Sequence, residues 1–132
     1  MAVQSFERAV ALKPDFADAH YNLGLSLQEL NQLDNAVKSY KDTLAIESEY
    51  IKAYNNLGII YLELGHEVDA IKAYRQVIKI EPSNAEAHYN LGNAFNELGR
   101  LDEAIKSYEQ ALSIEPNYYE VHNNCLLYTS DA

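Results

Sequence analysis

The four histidines and the carboxylates spread along the chain are the side chains best able to do chemistry in this sequence. A helical metal pair needs two histidines about four residues apart on one face. Here His20, His88 and His122 are separated by about 34 residues or twice that, and Tyr54 fills the step between the first two. A position shared with tyrosine is expected to be a packing position. His66 falls in a turn and is expected to be solvated. The single cysteine, Cys125, leaves no disulfide to argue. There is no Gly-rich phosphate loop, no nucleophile elbow and no His-Glu-x-x-His, and the carboxylates read as a solvated face rather than an acid and base in a closed pocket. No catalytic residue, metal or cofactor is expected in this segment, although a parent protein with an enzyme domain is compatible with it.

What positions these residues is a period. Gly24, Gly58 and Gly92 recur at a step of about 34 residues, as do Ala36, Ala70 and Ala104, and Tyr40, Tyr74 and Tyr108. Pro14, Pro82 and Pro116 fall on the same lattice, with Ser48 at the missing point. Each period is long enough for two short helices and their turns. Helical spacing of apolar residues predicts helices over 2–12, 17–30, 34–46, 68–80, 85–98 and 102–114. Asp15 with Asp18, and Ser83 with Glu86, are expected to cap helix starts, and Glu67 to cap the helix that Val68 opens. Asn31, Gly65 and Gly99 should close helices in the left-handed conformation. The expected organisation is the second helix of a truncated repeat over 1–16, repeats over 17–50, 51–84 and 85–118, and the start of a fourth over 119–124. The glycines lie mid-helix, where they cost about 1 kcal/mol relative to alanine. They are expected to allow a close approach that a larger residue would overpack by about 1 to 3 kcal/mol.

The formal net charge is -10. Nucleic acid and anionic membrane surfaces both require a basic face, so neither is an expected partner. No leader is recognisable at Met1, and compartment stays unassigned, with cytoplasmic as the default.

The Leu-Gly pairs Leu23-Gly24, Leu57-Gly58 and Leu91-Gly92, the bulky residues Leu27, Tyr61 and Phe95, and the second-helix alanines and tyrosines resemble the tetratricopeptide repeat. Thr43 and Val77 stand where Ala111 is regular. The resemblance covers nearly all of 1–124 and implies an all-α fold, an α-solenoid of helix-turn-helix repeats in a right-handed superhelix. It also implies that the first helices line a concave, peptide-binding face. Carried onto this chain, that face holds Asn22, Asn56 and Asn90, flanked by Tyr21, Asn55 and Tyr89, with Asn93 and Asn96 outside them and Lys52 and Glu86 on the same surface. An asparagine amide offers two donors and an acceptor, which suits it to hold peptide main chain. The series is similar to the asparagine ladder in the repeat arm of O-linked N-acetylglucosamine transferases. A basic carboxylate clamp for chaperone C-termini is excluded, since its matching positions hold Tyr21, Leu25, Asn56, Glu86 and Asn90. The expected function is a protein-interaction scaffold for a neutral or basic peptide, and the alternative is the substrate-recruiting arm of a larger glycosyltransferase-like enzyme.

Residues 125–132 break the pattern and resemble a translated sequencing adapter, so they are expected to be read-through, with the first 124 residues a fragment of a larger protein. Without a capping repeat, Ile105, Leu112 and Ile114 need cover from the tail or from another copy. Self-association through that end is therefore expected in sedimentation at high concentration, and a strict monomer would refute it.

Overall fold

The computed structural model describes residues 2–13 and 15–129. Among them lie eight helices: α1 (Ala2–Leu12), α2 (Ala17–Glu29), α3 (Leu33–Ile46), α4 (Ile51–Glu63), α5 (Glu67–Ile80), α6 (Ala85–Leu98), α7 (Leu101–Ile114) and α8 (Tyr119–Thr129). None is long and apolar enough to cross a membrane. The chain divides within α4 into two compact units, Met1–Ile60 and Tyr61–Ala132. Pro14 and residues 130–132 lie outside the described residues, as do the side chains of 125–129, and with them most of the tail expected to be read-through.

In the first unit α2 packs against α1 and α3. Its buried residues Ala19, His20, Leu23, Gly24 and Leu27 fall three or four apart on one stripe. On α3, Ala36, Ser39, Tyr40 and Thr43 form the facing stripe. Two polar groups in that stripe are satisfied locally. Thr43 Oγ1 donates to the Ser39 carbonyl at 2.9 Å, and Tyr40 Oη donates to Gln28 Oε1 on α2 at 2.7 Å. The Tyr40 ring is fully buried, and a Cβ built on Gly24 would stand 2.6 Å from its Cε1. Only a residue without a side chain lets ring and helix meet there.

The second unit repeats this join on α6 and α7. A Cβ on Gly92 would lie 2.5 Å from Tyr108 Cε1, and Tyr108 Oη donates to Asn93 Oδ1 at 2.6 Å. Its core joins Ala70, Ile71 and Tyr74 from α5, Leu91, Ala94 and Phe95 from α6, Ala104, Tyr108 and Ala111 from α7, and Val121 from α8. Val121 is completely buried, while Leu112 packs on the core from its edge and Ile105 and Ile114 are half-buried. Val121, in the expected start of the fourth repeat, thus covers part of the end expected to need cover from the tail or another copy.

Helix ends follow the period more closely than helix starts. Asn31, Gly65 and Gly99 have φ of 59°, 76° and 87°. Around each, the same pair of backbone bonds closes the helix: Gln32 to Leu27 with Asn31 to Gln28, His66 to Tyr61 with Gly65 to Leu62, and Arg100 to Phe95 with Gly99 to Asn96. These are Schellman closures, which need a residue tolerant of the left-handed region. At the starts, several expectations are corrected. Phe16, not Asp15, is the N-cap of α2, with no side-chain cap, and Asp18 bonds elsewhere. Asn84, not Ser83, caps α6, its Oδ1 accepting from the Ala87 amide at 2.9 Å. Glu67 is the first residue of α5, whose N-cap is His66. Helices α3 and α7 begin one residue before Asp34 and Asp102, which sit in the first turn where carboxylates meet the positive end of the helix dipole.

Candidate peptide-binding surface

The expected site residues lie on α2, α4 and α6. In the first unit, Tyr21, Asn22, Asn55 and Asn56 are half-buried and Lys52 is exposed. Asn56 Nδ2 donates to Tyr21 Oη at 3.1 Å, so two of the expected residues are brought together across α2 and α4. The Tyr21 ring also stands 5.7 Å from Tyr40 and 5.0 Å from Tyr50, both tilted. Tyr50, in the turn before α4, was not among the expected residues. Its hydroxyl donates to Asp18 Oδ1 at 2.7 Å, tying that turn to the first turn of α2. Burial, followed by that bond and the neighbouring carboxylate charge, holds the Tyr50 phenol well above its ordinary pKa.

In the second unit, Tyr89, Asn90, Asn93 and Asn96 are half-buried and Glu86 is exposed. Asn124 Nδ2 lies 3.2 Å from Asn93 Oδ1 and 3.4 Å from Tyr89 Oη. Tyr89 stands 5.9 Å from Tyr108 and 5.2 Å from Tyr118, again tilted. Tyr118, also missed, matches Tyr50 at twice the repeat step. Burial first, then the charges of Glu86 and Glu120, push its phenol up to about 12. Burial likewise raises Tyr74, with Glu97 and Glu86 adding to it. These hydroxyls are neutral donors over the whole physiological range.

The structure therefore alters the expected ladder in one respect. Asn56 and Asn124 each spend an amide N–H on the tyrosine hydroxyl about one repeat earlier, which pins the side chain before any ligand arrives. Asn55 occupies the place that Tyr21 and Tyr89 hold, and its Oδ1 is buried with no hydrogen-bond partner among the described residues. The histidines stand apart from this surface. His20 is buried with Nδ1 3.8 Å from Asp42 Oδ2, and it borders a 440 Å³ cleft of the first unit that contains none of the expected site residues. The packing position is used differently by the other two: His88 Nε2 is 3.0 Å from the Pro82 carbonyl oxygen and His122 Nε2 is 2.7 Å from that of Pro116. His66 is exposed as expected, with its ring 6.4 Å from Tyr61.

A sequence model of the Tetratricopeptide repeat matches residues 15–83, just over half of the chain. A second model of the Tetratricopeptide repeat matches residues 85–118, and a TPR repeat model matches 69–99. No curated protein sequence matches the chain. Among solved structures, a crystal structure of MamA is 23% identical, with 95% of this chain covering 73% of that one at a TM-score of 0.90. YrrB, a TPR protein with an unusual peptide-binding site, is 21% identical over 92% of this chain and 63% of its own, TM-score 0.84. The first TPR of Spaghetti (RPAP3), bound to the HSP90 peptide SRMEEVD, is 23% identical over 87% of this chain and 91% of its own, TM-score 0.81. At such identities the likeness concerns the fold, and the fold is all-α and built of helix-turn-helix repeats. With the glycine and tyrosine joins, the Schellman closures and the sequence models in agreement, the chain belongs to the tetratricopeptide repeat family.

Proposed function

We propose that this chain is a protein-interaction scaffold that holds an extended peptide along the first-helix surface, with Asn22, Asn56 and Asn90 contacting its main chain. The observation that carries the reading is the pinned amide. Asn56 is fixed by Tyr21 in a half-buried setting. An amide offers two donors and an acceptor, so one internal bond leaves capacity for a ligand while removing much of the side-chain disorder that binding would otherwise have to quench. Two fold relatives support the class of ligand: the first TPR of RPAP3 is bound to an HSP90 peptide, and YrrB has an unusual peptide-binding site. The ligand differs in charge from SRMEEVD: with Glu86 and Asp18 on the surface and a net charge of -10, a neutral or basic peptide is favoured. Tyr89, Asn55, Asn93, Asn96 and Lys52 complete the proposed contact set.

The test uses a neutral or arginine-containing peptide selected from a random library on the wild-type chain. Replacing Asn56 and Asn90 together by alanine is expected to weaken its capture about ten-fold or more, since each lost hydrogen bond contributes about 0.5–1.5 kcal/mol. The thermal midpoint should fall only slightly. Unchanged affinity would remove the asparagines from the mechanism. The same recurrence of asparagine also supports a second reading, a substrate-recruiting arm attached to a glycosyltransferase-like enzyme, which a longer reading frame would decide.

A further inference from the structure

Tyr21, Tyr50 and Asp18 in the first unit, and Tyr89, Tyr118 and Glu86 in the second, form the same composite at twice the repeat step. In each, two tilted rings stand 5.0 or 5.2 Å apart, and a carboxylate lies on the first turn of the helix that carries the first of them. All four rings are half-buried, so each is reachable from solvent, and both carboxylates are exposed. Among the described residues neither Asp18 nor Glu86 forms an ion pair. The chain's own cations that meet rings do so elsewhere: Lys13 lies over Phe16, and Arg75 and Arg100 lie over Phe95. Among the described residues none lies over the tyrosine pairs.

An aromatic face attracts a cation through its quadrupole, and a carboxylate beside it adds a charge-assisted acceptor. A guanidinium satisfies both at once, because it is planar, weakly hydrated and forked, whereas an ammonium is a compact and strongly hydrated point charge. We infer that each composite is a seat for one arginine side chain of a bound peptide, stacked on the tyrosine pair and paired with Asp18 or Glu86. This rests on the peptide-binding reading above and deepens it: the amides hold main chain without regard to sequence, and the seats select it. The middle repeat has no such seat. Asn84 stands where Tyr50 and Tyr118 stand, Asn55 where Tyr21 and Tyr89 stand, and Lys52 replaces the carboxylate with a like charge. Selection therefore falls on every second repeat. A purely structural tie from Tyr50 to Asp18 accounts for the 2.7 Å bond, but among the described residues Glu86 has no such bond to Tyr118 and reaches it through its charge alone.

The experiment titrates the whole chain with N-acetyl-arginine amide and with its neutral isostere N-acetyl-citrulline amide, following the ring C–H resonances of the tyrosines by NMR. Arginine is expected to shift Tyr21, Tyr50, Tyr89 and Tyr118 saturably, and citrulline to leave them in place. Asp18→Asn keeps an acceptor for the Tyr50 hydroxyl and so preserves the tie, yet it should weaken the arginine response of the first seat about five-fold while leaving the second unchanged. Glu86→Gln should do the converse. Equal shifts from citrulline, or arginine responses unaffected by both substitutions, would overturn the proposal. The small probes need no groove, so a peptide that binds through the asparagines without any preference for arginine would leave the groove standing and the seats refuted. Arginine shifts without peptide capture would do the reverse.

Discussion

Tyr108→Ala is expected to destabilise the second unit by about 3–5 kcal/mol, the cost of emptying a large aromatic site in a core that cannot collapse onto it. The Tyr108 ring is fully buried among residues of α5 to α8, lies against the backbone of Gly92, and stacks at a tilt on Tyr89. Rigid helix backbone on one side keeps the vacated space open. The hydroxyl adds a separable part. Tyr108→Phe deletes the hydroxyl and with it the bond to Asn93 Oδ1, which still accepts from Asn124, so it should cost about 0.5–1.5 kcal/mol. Denaturant titration followed by far-ultraviolet circular dichroism gives both values. A loss below about 1 kcal/mol for Tyr108→Ala would mean that the ring is a surface feature and that the join between α6 and α7 is carried elsewhere.

Gly92→Ala is the complementary test, because it adds volume where Tyr108→Ala removes it. A methyl group at Gly92 would sit 2.5 Å from Tyr108 Cε1 and 2.7 Å from Cδ1, inside any real van der Waals contact. The ring is hydrogen-bonded at its tip and enclosed, so it cannot swing aside cheaply, and the expected penalty is about 1–3 kcal/mol despite the gain in helix propensity. The cause is checked by a double-mutant cycle. With Tyr108→Ala, whose side chain stops before the clashing Cδ1 and Cε1 positions, the added methyl should be tolerated, giving a coupling of about 0.5–3 kcal/mol by the same denaturation measurement. Strict additivity would show that the glycine is needed for something other than the ring. Gly65→Ala serves as a contrast. Nothing lies within 4 Å of its would-be Cβ, so any cost there comes from its φ of +76° alone.

The period made most of the architecture legible. Gly24, Gly92, Tyr40 and Tyr108 could be matched to joins from spacing alone, because each repeat solves one packing problem with the same residues. Asn31 could be placed beside Gly65 and Gly99 because the left-handed closure admits few residue types. Helix starts were less legible. Ser83 and Asn84 are both good caps, and which one is used depends on backbone dihedrals that neighbouring residue types do not determine. Asp15 and Asp18 satisfied a capping pattern, yet Asp18 is engaged by Tyr50 from 32 positions along the chain, and no local rule sees so far. The candidate surface was legible as a set of positions but not as a set of bonds. The pinning of Asn56 by Tyr21 requires knowing that consecutive first helices face each other at that height. Tyr50 and Tyr118 were missed because the single repeat step places Asn84 between them, and only the doubled step reveals the match.

That doubled step bears on how such an array changes length. Packing sees every repeat as equivalent, so loss or gain of one helix pair leaves each glycine and tyrosine join with a proper neighbour and the protein still folds. The tyrosine and carboxylate composites alternate, so the same event puts two seat-bearing repeats side by side, or two bare ones. A single-repeat duplication is thus silent for stability and disruptive for ligand register, whereas a two-repeat duplication preserves both. Selection acting on the ligand should therefore admit growth in pairs, and the stretch from Tyr50 to Tyr118 has the length of one such pair.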